Sequence, residues 1–182
     1  TFAFNLASQG LYMRHGLYPR VPLHMCSIER ESLRNRPHGD TLRATPIRST
    51  SADLETLARL DVSALGISRE KHHHYLLGDA TIKGVLLHDD GDCVGYAYVS
   101  ATGQIGPLAV AQTRAMAKAF NTALEVALTS GATHVSAFLP GPSEALAIAI
   151  GHRMRLTLPM VLMSAHEFGD WRRYLPRNPG FM

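Results

Sequence analysis

The side chains whose types and spacing invite chemistry fall into a few short groups. His72, His73 and His74 are consecutive imidazoles, and imidazole nitrogen is a common zinc ligand. Successive residues point in different directions on either a helix or a strand, so at most two of the three could face one ion. With no CxxC pair beside them, the pattern predicts no metal site. Asp89, Asp90 and Asp92 surround Gly91 without the twelve-residue calcium ligand pattern, and read as a hairpin turn. Glu125 and Glu144 have the type of a general base, with nothing in the sequence to place either near a reacting group. Arg30, Arg34, Arg36, Arg43 and Arg48 make a basic stretch. Residues 1–50 hold seven Arg against Glu29, Glu31 and Asp40, a local +4 in a chain of net charge +3. Lacking interleaved aromatics or helix-turn-helix spacing, the stretch reads as a solvated linker, and no nucleic-acid partner is expected.

The elements that must position these groups follow from periodicity. Asn5–Arg14 reads as the end of a helix closed by Gly16, and Leu17–Cys26 as a strand interrupted by Pro19 and Pro22. Arg30–Arg36 is a short helical or irregular linker, Pro37, Gly39 and Asp40 mark a turn, and Leu42–Arg48 is a candidate strand. Thr50-Ser-Ala-Asp53 is a capping box, followed by Leu54, Leu57, Ala58, Asp61 and Leu65 at helical spacing, which predicts a helix over 52–64. Arg69–Leu77 is a second short helix or extended segment. Three strands, Lys83–His88, Cys93–Ser100 and Gln104–Val110, are separated by turns at Asp89–Asp92 and Ala101–Gly103. Met116, Phe120, Leu124 and Leu128 then recur every four residues in Thr113–Ser130, a helix stopped by Gly131. A strand at Ala132–Leu139, a helix at Ser143–Gly151 and a strand at Arg155–Met163 complete the order. The class expected is α/β (α+β), with a mixed, mostly antiparallel sheet and helices on both faces.

Within this order lies a repeat. Leu11–Ser27 aligns without a gap on Ile148–Ser164 at an offset of 137, with His15 on His152, Pro22 on Pro159 and Ser27 on Ser164. Apolar residues pair along the same register, as in Leu17/Met154, Leu23/Met160 and Met25/Leu162. A repeat spaced by one domain length points to tandem domains rather than a solenoid. The division expected is 1–27 as the last helix and strand of a first domain, 28–50 as linker with a possible first strand, and 51–182 as the second domain. Absence of an initiator Met suits a fragment. An exposed helix and strand at 1–26 cannot form a core alone. They are expected to dock on the second domain's sheet, or to mediate a homodimer by exchange.

Composition narrows the setting. The chain is 46% apolar and 18% charged, like an ordinary globular protein, and its longest apolar runs are too short to span a bilayer. Cys26 and Cys93 are the only cysteines and no signal-peptide pattern is present, so a cytoplasmic setting and no membrane partner are expected.

The order of elements, together with the surrounding sequence, resembles the GNAT N-acetyltransferase superfamily in its tandem form. Asn5-Leu-Ala-Ser8-Gln-Gly-Leu11-Tyr12-Met-Arg-His-Gly16-Leu17 is similar to that family's fourth-helix pattern. GYAYVSATGQIGPLAV (95–110) and the stretch from PMVLMS to the C-terminus (159–182) are similar to the second domain of bacterial tandem members. The resemblance implies acetyl-CoA as co-substrate, its pantetheine pairing with the fourth strand of the sheet. By position that strand supplies Leu108, Ala109 and Val110. It implies the pyrophosphate resting on amides at the start of the next helix, where N–H groups and the positive dipole end face an anion. The residues there are Gln112, Thr113, Arg114, Ala115 and Ala117, with Ala wherever the family's loop has Gly. That change adds a methyl where backbone must approach phosphate. The resemblance further implies Tyr12 as the proton source for the leaving thiolate, with Asn5 beside it; the second-copy counterparts are Ala149 and Pro142 or Ser143. The reaction implied is acetyl transfer to a primary amine of a small molecule or peptide. The competing expectation is a degenerate copy that binds no CoA and serves as a structural or dimerising module.

Overall fold

The computed structural model describes residues 1–35 and 39–179. The helices are α1 Leu6–Arg14, α2 Arg30–Arg34, α3 Ser51–Leu65, α4 Glu70–Leu77, α5 Met116–Leu128 and α6 Glu144–Gly151. The strands are β1 Tyr18–Glu29, β2 Arg43–Pro46, β3 Ile82–Asp89, β4 Asp92–Ser100, β5 Gln104–Val110, β6 His134–Pro140, β7 Arg155–Ser164 and β8 Tyr174–Leu175.

Local chemistry sets most of these bounds. The Thr50 hydroxyl accepts from the Asp53 N–H at 3.2 Å, satisfying one free donor at the start of α3, and the Asp53 carboxylate accepts from the Arg48 N–H of the segment that leads into it. Leu57, Leu60, Ala64 and Leu65 then bury one stripe, and Gly66 ends the helix at φ 80°. Asp90 and Gly91 both take positive φ, as the two-residue turn between β3 and β4 requires. Gly103, at φ 79°, turns the chain into β5, and a Cβ there would collide with the His134 carbonyl oxygen. In α5 the buried Ala119, Ala123 and Ala127 bring the helix close to the sheet while Phe120 and Leu124 fill the space beneath it.

The sheet runs β2-β3-β4-β5-β6-β1-β7, with β8 joined to β5. Every described pairing is antiparallel except β5 with β6. On one face α5 and α6 cover a core of Leu87, Ile105, Phe120 and Leu139; on the other α3, α4 and the C-terminal segment cover Tyr96, Tyr98, Phe138 and Trp171. This is the mixed sheet with helices on both faces that the sequence led one to expect.

The placement of β1 revises the reading of the N-terminal piece. It runs on to Glu29, past the boundary near 28, and lies inside the sheet between β6 and β7. Pro19 and Pro22 are tolerated within it, the first beside a register shift that interrupts the ladder. The linker is not wholly solvated either, since Leu33 of α2 is fully buried. Arg36 and Pro37 of the expected linker and turn lie outside the described residues, as do the last three residues of the C-terminal phrase.

The repeat of the sequence becomes a local twofold in the sheet. Leu23 of β1 sits opposite Met160 of β7, and Val21 with Leu162 and Met25 with Leu158 flank it symmetrically. On the far side of β7, Phe2 bridges Met160 as Pro140 of β6 pairs with Leu23. The Ala3 N–H donates to the Pro159 carbonyl, as the Gly141 N–H donates to the Pro22 carbonyl. Asn5 and Ser143 each cap the following helix through a side-chain oxygen, and His15 and His152 each end it. Gly16 and Arg153 both follow with positive φ. The lateral order β6, β1, β7, Thr1–Ala3 therefore reads the same from either side.

Candidate active site

In a parallel pair that diverges, the strand backbones expose unpaired N–H and C=O groups to whatever enters between them. β5 and β6 pair only at Gln104–Ser136 and Ile105–Ala137 before separating. The edge of β5 expected to take pantetheine at Leu108–Val110 is occupied by the chain itself. Leu108 pairs with Leu175 and Ala109 with Tyr174 of β8, and the Val110 N–H donates to the Arg173 carbonyl at 2.9 Å. Tyr174 and Leu175 are buried. Arg173 fastens this strap by donating to the Ala111 carbonyl at 2.9 Å and to Ser63, while the Asp170 carboxylate accepts from Arg172 and Arg173. The hydrogen bonds from Arg172 hold the Asp170 carboxyl below the usual carboxylate range. Sequence reasoning left residues 165–182 without an element, because two paired residues produce no periodicity.

The start of α5 does form a concave site. Gln112 is extended, Thr113–Ala115 make one turn of 3-10 helix, and α5 follows from Met116. Gln112, Arg114, Ala115 and Lys118 line a cavity of about 410 Å³; Thr113 and Ala117 are half-buried beside it. The opposite wall is Asp89, Asp90 and Asp92 of the β3–β4 turn, and the Lys118 ammonium pairs with Asp89 at 3.4 Å. Three carboxylates thus face the two cations and the helix N-terminus that would hold a pyrophosphate, which offsets their attraction for an anion.

Tyr12 lies elsewhere. It is half-exposed at the end of α1 and lines a cavity of about 230 Å³ with Leu17, Leu23, Met160 and Thr1. The Asn5 side chain accepts from the Ser8 N–H at 3.0 Å, and the Ser143 hydroxyl from the Ala145 N–H at 3.4 Å. Both are engaged as helix caps. Tyr12 and the residues at the start of α5 therefore line separate cavities, and Ala149, the counterpart of Tyr12, is fully buried.

A buried polar cluster passed unrecognised in the sequence. The Asp61 carboxylate, wholly inside, accepts from the Tyr96 hydroxyl at 2.5 Å and pairs with His73 Nε2 at 2.9 Å, while His73 Nδ1 meets the Tyr98 hydroxyl at 2.9 Å. Burial, reinforced by Asp61, pushes both tyrosine hydroxyls to a higher pKa than usual. Arg69 closes the cluster, its guanidinium beside His72 and over the ring of Tyr174. The available signal was Asp61 itself, a carboxylate on the apolar stripe of α3. Among the described residues no three His, Cys, Asp or Glu side chains converge as a metal site, and no helix is long and apolar enough to cross a membrane.

No protein-family model matches the chain, and no curated protein does. Solved structures do. A Pyrococcus horikoshii protein put forward as an acetyltransferase matches with a TM-score of 0.68 at 15% identity, over 93% of this chain and 54% of that one. A GCN5-related N-acetyltransferase from Sphaerobacter thermophilus matches with a TM-score of 0.60 at 16% identity, over 93% and 59%. Another from Kribbella flavida matches with a TM-score of 0.54 at 15% identity, over 88% and 63%. The chain spans between half and two thirds of the length of these three. Its fold is like that of these GCN5-related N-acetyltransferases.

Proposed function

We propose that this chain is part of an acetyl-CoA-dependent N-acyltransferase moving an acetyl group to a primary amine of a small molecule or peptide. Residues 1–27 end a reactive copy, and residues 51–182 form a second copy closed to CoA. The observation that carries this division is the pairing of β8 with Leu108 and Ala109, which uses the backbone groups a pantetheine would need. The carboxylates opposite α5 and the Ala at positions 115 and 117 point the same way. Tyr12, by contrast, lines an open cavity. Acetyl transfer joins the amine nitrogen to the thioester carbonyl carbon and breaks the carbon–sulfur bond, and the thiolate then takes a proton. The Tyr12 hydroxyl is the donor in this reading.

Titration of the 182-residue chain with millimolar acetyl-CoA, followed by thermal shift, tests the closed copy. No stabilisation is expected; a shift abolished by Arg114→Ala would show that the second copy binds CoA and overturn the division. Tyr12→Phe, made in the polypeptide as its source produces it, should lower kcat with little change in KM for acetyl-CoA. An unchanged kcat removes Tyr12 from the reaction.

A further inference from the structure

Two cavities of the molecule differ in chemistry. The one at the start of α5 is walled by charge, with Asp89, Asp90, Asp92, Arg114 and Lys118 around it. The one beside Tyr12, of about 230 Å³, has no charged side chain in its described lining. Leu23, Met160 and Leu162 are its buried members, Leu17 and Met163 are half-buried, and Tyr12 and Pro179 are exposed. The backbone there is engaged as well. Val161 and Thr1 exchange hydrogen bonds at 2.9 and 3.0 Å, and Leu23, Val21 and Pro19 pair with Met160, Leu162 and Met163. A ligand entering this cavity finds few groups to hold an ion or to accept its hydrogen bonds, and much apolar surface to cover.

Size narrows the occupant further. An apolar cavity of about 150 Å³ takes a benzene ring. The cavity beside Tyr12, at about 230 Å³, therefore holds far more than an acetyl group and suits a phenyl ring on a short linker or an alkyl chain of about six carbons. Met160 and Met163, unbranched and polarizable, let its walls adapt to either shape. We propose that this cavity binds an uncharged apolar group of that size, carried by one of the two reacting partners beside Tyr12. The carrier is the acyl donor or the amine acceptor, and the apolar group is the chemistry common to both. That the group belongs to a substrate rests on Tyr12 as proton donor in the proposed reaction; that the cavity takes an apolar group does not.

Neutral amides test the cavity without turnover. In the 182-residue chain with isotope-labelled methionine methyl groups, hexanamide should shift the Met160 and Met163 resonances with a Kd on the order of a millimolar, and acetamide should not. From propanamide to hexanamide, binding should tighten about fourfold for each added methylene. Leu17→Phe, which puts a larger side chain in the lining, should weaken hexanamide about tenfold or more, while Tyr12→Phe should leave it within about twofold. Equal binding of acetamide and hexanamide, no binding of either, or an unchanged affinity in Leu17→Phe overturns the inference. The proposed reaction fails separately: bound hexanamide with an unchanged kcat in Tyr12→Phe removes Tyr12 from the chemistry and leaves the cavity its apolar ligand. Turnover then names the carrier in the polypeptide as its source produces it. A higher kcat/KM for hexanoyl-CoA than for acetyl-CoA assigns the group to the acyl donor, and a higher value for phenethylamine than for ethylamine assigns it to the acceptor. No preference in either pair overturns its placement beside the reacting centre.

Discussion

Leu23 and Met160 face each other across adjacent antiparallel strands, and each is the counterpart of the other 137 positions away in the chain. Both are buried in the core beneath α3 and α4. Because they form the centre of the twofold, they carry the packing between the N-terminal piece and the rest. Leu23→Ala should cost about 2–5 kcal/mol, the range for a buried leucine whose site cannot collapse. Met160→Ala should cost a similar amount. The double variant should cost less than the sum, since the two side chains share one cavity. Urea unfolding midpoints of the three variants check this.

The carboxylate of Asp61 has no solvent to fall back on. Asp61→Leu would leave His73 Nε2 and the Tyr96 hydroxyl without their acceptor inside the core, at a cost of about 3 kcal/mol or more. Combining it with His73→Leu and Tyr96→Phe should recover much of that loss, because an apolar cluster of similar volume leaves no donor stranded. Denaturant titration of the single and triple variants distinguishes a structural cluster from one whose members act independently.

Alkaline pH should act on the same cluster. Tyr96 and Tyr98 have folded pKa values raised above the ordinary value near 10, so their contribution is fully present below pH 10. Above it the unfolded chain loses protons that the folded one keeps, and stability falls as pH rises. The Tyr96→Phe, Tyr98→Phe double variant should show a flatter decline between about pH 10 and 11.5. Equal slopes would detach the tyrosines from the alkaline transition.

The strap at β8 depends on Arg173, which reaches Ala111, Ser63 and Asp170 at once. Arg173→Ala should raise amide exchange at Tyr174 and Leu175 by about tenfold or more while leaving the β3–β4 ladder protected. Acid should loosen the strap too. The Asp170 pKa is depressed, so its contribution is present above about pH 4 and lost as pH falls through the folded value. Exchange measured by mass spectrometry at pH 6 and pH 3 tests both, after correction for intrinsic rates.

Elements whose pattern is local were legible in the sequence. The capping residues Thr50 and Asp53, the stripe of α5 and the Asp-Gly turn before β4 each state their own geometry within a few residues, and the strand at Gln104–Val110, placed after the turn at Ala101–Gly103, has the bounds expected of it. The site was legible only in pieces. Gln112, Arg114 and Ala115 do line a cavity at a helix start, but the sequence could not show that Asp89, Asp90 and Asp92 form its other wall. It could not show that Tyr174 and Leu175 close the β5 edge either.

By itself the sequence determined the helices α3, α5 and α6, the hairpins, the class of fold and the repeat at offset 137, because periodicity, turn residues and caps act between neighbours in the chain. Only the tertiary structure decided that the repeated strands pair with each other about Leu23 and Met160, that β1 lies between β6 and β7, and that β8 occupies the edge of β5 at Leu108 and Ala109. Those outcomes depend on which backbone groups find partners across more than sixty residues of chain. Strand pairing is settled by the competition of all available edges at once, and no short window of sequence contains it.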